Sequence, residues 1–176
     1  AYRTGYFVAG ELLASALMSA PAIRDDDPER DPCYLYYPML YCYRHYLEIE
    51  LKHQIRLWSQ AGDPPRKPGR KKTHILKDLW TQFEGACADV EGRNSADKDS
   101  LQAVAQMVEE FHNYDPTSQS FRYSVDSSGR KHQVPTPERD VEHLVKLMRG
   151  IRNYFDANRD VVWFIQEARG DEAAFG

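Results

Sequence analysis

Five side chains in one stretch of this sequence stand at spacings that place them on the same face of a helix. Tyr41, Arg44, His45, Glu48 and Lys52 follow one another at intervals of one to four residues. With 3.6 residues per turn, all five fall within about 100° of that face. An arginine beside a histidine can hold a phosphate while the imidazole moves protons. One interpretation of this sector is therefore chemistry on a phosphodiester.

The same spacing also has a structural interpretation. Arg44, Glu48 and Lys52 are four residues apart, which is the spacing of an intrahelical salt-bridge ladder that orients neighbouring helices. Charges inside a central helix are costly unless they are paired, because desolvation penalises each unpartnered ion. Adjacent residues on a helix also diverge by about 100°, so one phosphate meets both Arg44 and His45 only across a two-fold dimer. The sequence leaves both interpretations open.

The sector belongs to the second of five predicted helices. Pro38 suits a first-turn position, and the helical pattern continues to about Trp58 before Ala61-Gly-Asp-Pro64 ends it. Apolar or aromatic residues surround most of its circumference, which is typical of a helix at the centre of a bundle. Its apolar stripe consists of Tyr36, Leu40, Leu47, Leu51, Ile55 and Trp58.

Four further helices are indicated by apolar residues that recur at intervals of three and four. The first covers about 6–19, the third runs from Ile75 to Val90 after a capping Thr73, and the fourth runs from Leu101 to about Asn113. The last is predicted to open at Thr136-Pro137 and to end at Gly170.

One segment has the alternation of a strand. Residues 121–125 alternate with period two and precede the turn Asp126-Ser-Ser-Gly129, which predicts a short β-hairpin over about 119–135. The predicted fold class is therefore all-α, an antiparallel bundle of about five helices with an inserted hairpin. We expect one domain over 1–176, in which the second and last helices pack together.

Composition and motifs exclude several classes of protein. The chain has 176 residues and a net charge of −4, so any attraction to nucleic acid must come from local clusters. It contains no apolar run of transmembrane length and no signal-peptide pattern, which predicts a cytoplasmic protein without a membrane partner. P-loop, GxGxxG and GxSxG motifs are missing from the sequence, which argues against the corresponding nucleotide-binding and hydrolase folds.

Metal and disulfide chemistry have little support in the sequence. The cysteines Cys33, Cys42 and Cys87 stand far apart with no CxxC pair, as expected for apolar core residues. The six histidines form no HxxxH or HExxH pair. The sequence therefore predicts no metal and no cofactor.

Two groups of cations are candidates for binding RNA. One is a loop rich in proline, and the other is the predicted hairpin, where Arg122 is accompanied by Arg130 and Lys131. Such cations neutralise phosphates in a salt-sensitive, sequence-independent way, although charged loops are also ordinary solvated surface. The loop cations are Arg66, Lys67, Arg70, Lys71 and Lys72.

Three segments resemble a known superfamily. The run Tyr43-Arg-His-Tyr-Leu-Glu-Ile-Glu-Leu-Lys52 resembles the central helix of a group of prokaryotic helical proteins similar to the higher eukaryote and prokaryote nucleotide-binding (HEPN) superfamily. The run from Thr73 to Trp80, and Phe121-Arg-Tyr123 after Asp115-Pro116, resemble it as well. The resemblance covers scattered blocks of residues 6–134. It implies a dimerising helical bundle, whose relatives are metal-independent ribonucleases or non-catalytic RNA- or partner-binding domains.

The sequence departs from this superfamily in one respect. Catalytic HEPN proteins carry an arginine and, four to six residues later, a histidine, near the end of the bundle. Arg152-Asn153 begins like that motif, but the places of the histidine hold Ala157, Asn158 and Arg159. Asn158 does not shuttle a proton at neutral pH.

The predicted function therefore has two forms. In the first, Arg44, His45, Glu48 and Lys52 supply the base, acid and cation of metal-independent RNA cleavage. The protein would then be a homodimer that acts on or binds RNA in a prokaryotic stress or phage-defence system, with a cognate antitoxin or defence partner. In the second, it is a non-catalytic, dimerising interaction module that regulates a partner protein.

Overall fold

The fold is helical in nearly all of the chain that a computed structural model describes, namely residues 1–19, 32–62, 65, 73–88, 90, 98–123, 125, 128–131 and 140–175. This part contains a 3-10 turn at Pro32–Leu35 and the helices α1 (Tyr2–Ser19), α2 (Tyr36–Ala61), α3 (Leu76–Ala88), α4 (Lys98–Tyr114) and α5 (Val141–Phe175). The predicted all-α class is confirmed. No helix within these ranges combines the length and apolarity needed to cross a membrane.

The helix α2 is the core of the bundle and packs against α1, α3 and α5. All six residues of its predicted apolar stripe are buried. Such burial on several sides follows from the apolar cover around the helix. The predicted packing of α2 on α5 is confirmed, since the Gln54 side-chain amide donates to the Phe155 carbonyl oxygen at 2.8 Å. The extended backbone of Gly62 ends α2.

A buried carboxylate, Glu50, ties two outer helices to α2. The Arg3 Nε of α1 lies 2.9 Å from its Oε2. The Arg159 Nη1 of α5 lies 3.1 Å from its Oε1, and the Gln54 side chain donates to the same oxygen at 2.9 Å. Cations and a donor from three helices offset the desolvation cost of this charge.

The predicted hairpin is wrong. The described part of residues 119–135 contains no strand and only an isolated antiparallel bridge between Val125 and Lys131. Asp115 Oδ1 instead accepts hydrogen bonds from the backbone amides of Gln119 at 2.6 Å and Ser120 at 2.9 Å. The amides of residues 122 and 123 both donate to the Gln119 carbonyl oxygen. The backbone amides that a strand would donate to a neighbouring strand are therefore used within this turn.

Two predicted helix ends also differ from the structure. Thr73 lies outside α3, and its hydroxyl accepts a hydrogen bond from the Ile75 amide at 3.0 Å. Ile75 also precedes α3, and its side chain is exposed rather than buried. The helix α5 continues past Gly170, because one glycine costs a packed helix only about 1 kcal/mol. Asp140 caps the start of α5 through its Oδ1, which accepts from the His143 amide at 3.0 Å. The predicted opening at Thr136-Pro137 lies outside the described residues.

A glycine of α1 faces a buried aromatic ring of α2 in close contact. A Cβ atom on Gly10 would lie 2.7 Å from Cε1 of Tyr43, whose ring is fully buried. The Tyr43 hydroxyl donates to Glu11 Oε1 at 3.0 Å, which limits how far the ring can shift. Glycine at this position therefore sets the distance between the two helices.

We expect Gly10→Ala to destabilise the protein by about 1–3 kcal/mol, because the added methyl group overpacks the contact with Tyr43. Gly5→Ala in the same helix is the matched control, since nothing lies within 4 Å of its added Cβ. That variant should be stabilised by up to about 1 kcal/mol through helix propensity. Urea unfolding of both variants tests the contact, and an equal gain in stability from the two would contradict it.

Stability should also depend on pH through His53. Burial, followed by the charges of Arg3, Arg159 and Arg56, lowers the pKa of His53 to about 4. In the unfolded chain the imidazole titrates near pH 6.5. Below about pH 6.5 the imidazole is protonated in the unfolded state, whereas in the folded state it binds a proton only near pH 4. The free energy of unfolding therefore decreases as the pH falls from about 6.5 to about 4.

We expect His53→Gln to flatten the dependence of the unfolding free energy on pH between about pH 5 and pH 6.5. Urea denaturation at several pH values measures this slope. His143→Gln, at an exposed position on α5, is the control and should keep the slope of the parent protein. A His53→Gln variant with an unchanged slope would show that this imidazole does not contribute.

Candidate functional site

The candidate site is built around the carboxylate of Glu48, which is almost completely buried on α2. Its Oε2 lies 2.6 Å from Arg44 Nη1. Its Oε1 lies 2.7 Å from Lys52 Nζ and 2.7 Å from Nδ1 of His74. Burial tends to raise the pKa of Glu48, but hydrogen bonds from Lys52, His74 and Arg44 outweigh it and lower the pKa. The carboxylate is therefore ionised at neutral pH.

Arg44 is enclosed by the groups that it binds. Its side chain is 0% exposed and lies between Glu48 and the equally buried Asp115. Arg44 Nη2 donates to the carbonyl oxygen of His74 at 2.7 Å. The separation of 3.1 Å between Arg44 Nε and Asp115 Oδ2 is a charge contact, because neither atom has a hydrogen-bond partner. Arg44 is thus unable to reach a phosphate in solution.

His74 is the exposed member of the cluster. Its side chain is 69% exposed, although Glu48 holds its ring and Arg44 holds its backbone carbonyl. Because an ionised carboxylate only accepts hydrogen bonds, Nδ1 of the neutral ring carries the proton and Nε2 is the basic nitrogen. A histidine oriented by a carboxylate in this way is the usual arrangement of a general base.

His45, the histidine of the predicted site, lies in an aromatic setting. The His45 ring stacks on Tyr41, with centroids 5.6 Å apart, and meets the edge of Tyr6 of α1 at 4.3 Å. Its Nδ1 is buried without a hydrogen-bond partner. Burial is the largest cause that lowers the pKa of His45; the charge of Glu48 opposes it, and the charges of Arg44, Lys52 and Arg122 add to it. The imidazole is therefore neutral at physiological pH and packs as an aromatic ring.

One of the six predicted RNA-binding residues lies beside this aromatic cluster. The guanidinium carbon of Arg122 is 5.8 Å from the centroid of the Tyr41 ring and 5.2 Å from that of Tyr123. Arg122 Nε also donates to the Ser118 carbonyl oxygen at 2.8 Å. Arg122 and Tyr123 are exposed. The other five residues, Arg66, Lys67, Arg70, Lys71 and Lys72, lie outside the described residues.

The structure thus divides the predicted catalytic residues into separate settings. Arg44, Glu48 and Lys52 remain together and Glu48 gains His74 as a partner, although Arg44 is fully buried. His45 instead packs against α1. His74 and Asp115 are site residues that the sequence did not indicate. Their contacts join residues 26 and 71 positions apart in the chain, so no helical spacing indicates them.

The described residues contain no group of three or more histidine, cysteine, aspartate and glutamate side chains that could hold a metal ion. Comparison of the chain with protein-family models, with curated proteins and with solved structures finds no match.

We expect Arg44→Met to destabilise the protein by about 3–5 kcal/mol, because it leaves the buried carboxylates of Glu48 and Asp115 without their shared cation. Lys52→Met is the matched control. It removes a partly exposed partner of the same carboxylate and should cost less than about 1 kcal/mol. Chemical denaturation measures both. Similar losses for the two variants would show that burial does not distinguish the two cations.

Proposed function

We propose that this protein binds RNA and cleaves it without a metal, with His74 as the residue that transfers the proton. The observation that carries the proposal is the contact of 2.7 Å between Nδ1 of the exposed His74 and the buried carboxylate of Glu48. This contact holds the imidazole at Nδ1 and leaves Nε2 available to a ligand. Lys52, bound to the same carboxylate oxygen and partly exposed, adds a cation beside the ring.

These groups can perform an internal transesterification. His74 Nε2 takes the proton of a ribose 2′-hydroxyl, and the 2′-oxygen attacks the adjacent phosphorus. The bond from phosphorus to the 5′-oxygen breaks and gives a 2′,3′-cyclic phosphate, while the protonated imidazole returns the proton to the leaving oxygen. Lys52 stabilises the negative charge that builds on the phosphorane oxygens. Glu48 and Arg44 are positioning residues, since neither meets solvent.

The sequence supplies further cations close to His74. Lys71 and Lys72 precede it by three and two residues in the sequence. Arg66, Lys67 and Arg70 belong to the same run. Their charges would neutralise several phosphates on either side of the cleaved bond. Arg122 would add one more cation for RNA, beside the Tyr41 ring.

The setting of this activity belongs to the proposal as well. The resemblance of Tyr43 to Lys52 and of Thr73 to Trp80 to HEPN-like proteins supports a homodimer in the cytoplasm of a prokaryote. It also supports a role in stress response or phage defence, where a cognate antitoxin or another component would hold the nuclease inactive.

A second candidate function is a non-catalytic, dimerising interaction module that regulates a partner protein. The observation that favours it is the complete burial of Arg44, whose guanidinium is neutralised inside the bundle. Two adjacent aromatic residues of α5, Trp163 and Phe164, are also more than half exposed. Exposed aromatic side chains are enriched at protein interfaces.

Cleavage of a fluorescent single-stranded RNA by purified protein, in a buffer with a chelator, tests the first function. We expect His74→Ala to reduce the rate about 100-fold or more, because it removes the proton-transfer group. His143→Ala, which removes another exposed histidine, is the matched control and should retain the parent rate.

Binding to the same RNA at low salt, measured by fluorescence anisotropy, separates the two functions. Salt-sensitive binding without cleavage would leave the protein as an RNA-binding module. Intact RNA together with no binding would favour the interaction module. Cleavage that His74→Ala does not slow would reject His74 as the catalytic residue.

A further inference from the structure

Four planar side chains, His45, Tyr41, Arg122 and Tyr123, contact one another in that order beside the first half of α2. The His45 ring stacks on the Tyr41 ring, with centroids 5.6 Å apart and planes within 13° of parallel. The guanidinium carbon of Arg122 lies 5.8 Å from the centroid of the Tyr41 ring and 5.2 Å from that of the Tyr123 ring. We refer to these four residues as the planar cluster.

The two ends of the planar cluster differ in exposure. His45 and Tyr41 are half-buried, and the Tyr6 ring of α1 meets both of them edge-on. At the other end, Arg122 is exposed and the Tyr123 side chain is 56% exposed. Contacts with α1 therefore hold one end of the cluster, while the other end presents an aromatic ring and a guanidinium to solvent.

Hydrogen bonds within the turn hold Arg122 in this position. Its Nε donates to the Ser118 carbonyl oxygen at 2.8 Å, and its Nη2 donates to the same oxygen. Asp115 closes the turn, because its Oδ1 accepts from the amides of Gln119 and Ser120. A guanidinium that is already oriented loses little side-chain entropy when a ligand stacks on it.

The buried Arg44 connects the planar cluster with the Glu48 site. Its guanidinium contacts Asp115 at the base of the turn and donates to the His74 carbonyl oxygen. Tyr41 and Glu48 are seven residues apart on α2, which places them on the same side of the helix and roughly 10 Å apart along its axis. Stacked nucleotides of one strand rise about 3.4 Å each, so this spacing corresponds to a few nucleotides.

We propose that the planar cluster is a stacking subsite for one base of single-stranded RNA, which lies against Tyr123 and the guanidinium of Arg122. This inference rests on the proposed function and specifies its substrate as unpaired RNA. An unpaired base can leave its neighbours and stack on an aromatic ring or a guanidinium plane, whereas a base in a duplex is held by pairing and stacking.

Stacking of this kind complements the binding of phosphates. The cations between Arg66 and Lys72 would neutralise the phosphates of single-stranded and double-stranded RNA alike. The planar cluster would distinguish the two forms by the face of a base. It would do so without a preference for sequence, because every base has a π-face.

Three RNAs test the subsite in the parent protein. They are a fluorescein-labelled 2′-O-methyl oligouridine of about 10 nucleotides, the same strand with abasic nucleotides throughout, and the duplex of the first strand with its 2′-O-methyl complement. The methyl group removes the attacking hydroxyl, so the RNA stays intact during the titration. We expect fluorescence anisotropy to show binding of the oligouridine at least about 5-fold tighter than that of the abasic strand.

Variants at the exposed end of the planar cluster identify the residues responsible. Tyr123→Leu should bind the oligouridine at least about 5-fold more weakly, with unchanged affinity for the abasic strand and the duplex and an unchanged dependence on salt. Tyr123→Phe is the matched control, since it keeps the ring and should keep the affinity. Arg122→Lys, which keeps the charge but loses the plane, should weaken the oligouridine more than the abasic strand.

Several results would overturn the subsite. They are equal affinity of the parent protein for the oligouridine and the abasic strand, equal effects of leucine and phenylalanine at position 123, and an equal loss of affinity for all three RNAs in Tyr123→Leu. If the parent protein cleaves unmodified RNA and gives one of these results, only the stacking subsite is rejected. A parent protein that neither binds nor cleaves RNA would reject the proposed function together with the subsite.

Discussion

Two carboxylates on the central helix, Glu48 and Glu50, are buried, and each has at least one partner from an element that surrounds α2. Glu50 binds Arg3 of α1 and Arg159 of α5, while Glu48 binds the residue that leads into α3. A buried carboxylate without such partners would cost several kcal/mol, so the surrounding helices must stay where they neutralise it. Apolar packing supplies most of the burial, but these charges define which helix faces which side of α2.

The same network places the candidate catalytic group. Arg44 and Glu48 hold the backbone and the ring of His74 from inside the bundle, while most of its side chain meets solvent. The network is thus structural at its buried end, and its exposed end has the geometry of a proton-transfer site. Of the two interpretations that the sequence left open, the ion-pair ladder within α2 is present, and it also orients a histidine that comes from another part of the chain.

Local patterns were sufficient to predict α2 and the stripe of residues that it buries, because periodicity reports directly which side of a helix is apolar. They failed for residues 121–125, where alternation predicted a strand. The Asp115 side chain accepts hydrogen bonds from the backbone amides of Gln119 and Ser120, in the turn that precedes this segment. Because Asp115 lies outside residues 121–125, it does not change their alternating pattern. They also failed for His74, because no spacing rule connects it with Glu48. Tertiary contacts, rather than propensity, decided both cases.

The charge balance of the cluster determines what it can contribute to binding RNA. The cations Arg44 and Lys52 are matched by the carboxylates of Glu48 and Asp115, so the described cluster carries no net charge when His74 is neutral. Such a cluster does not attract a phosphate over a long distance. Affinity for RNA would have to come from the cations that precede His74 in the sequence, and the cluster would act only on a phosphate that they have already bound. Binding and proton transfer would thus depend on different residues, and variants can separate them.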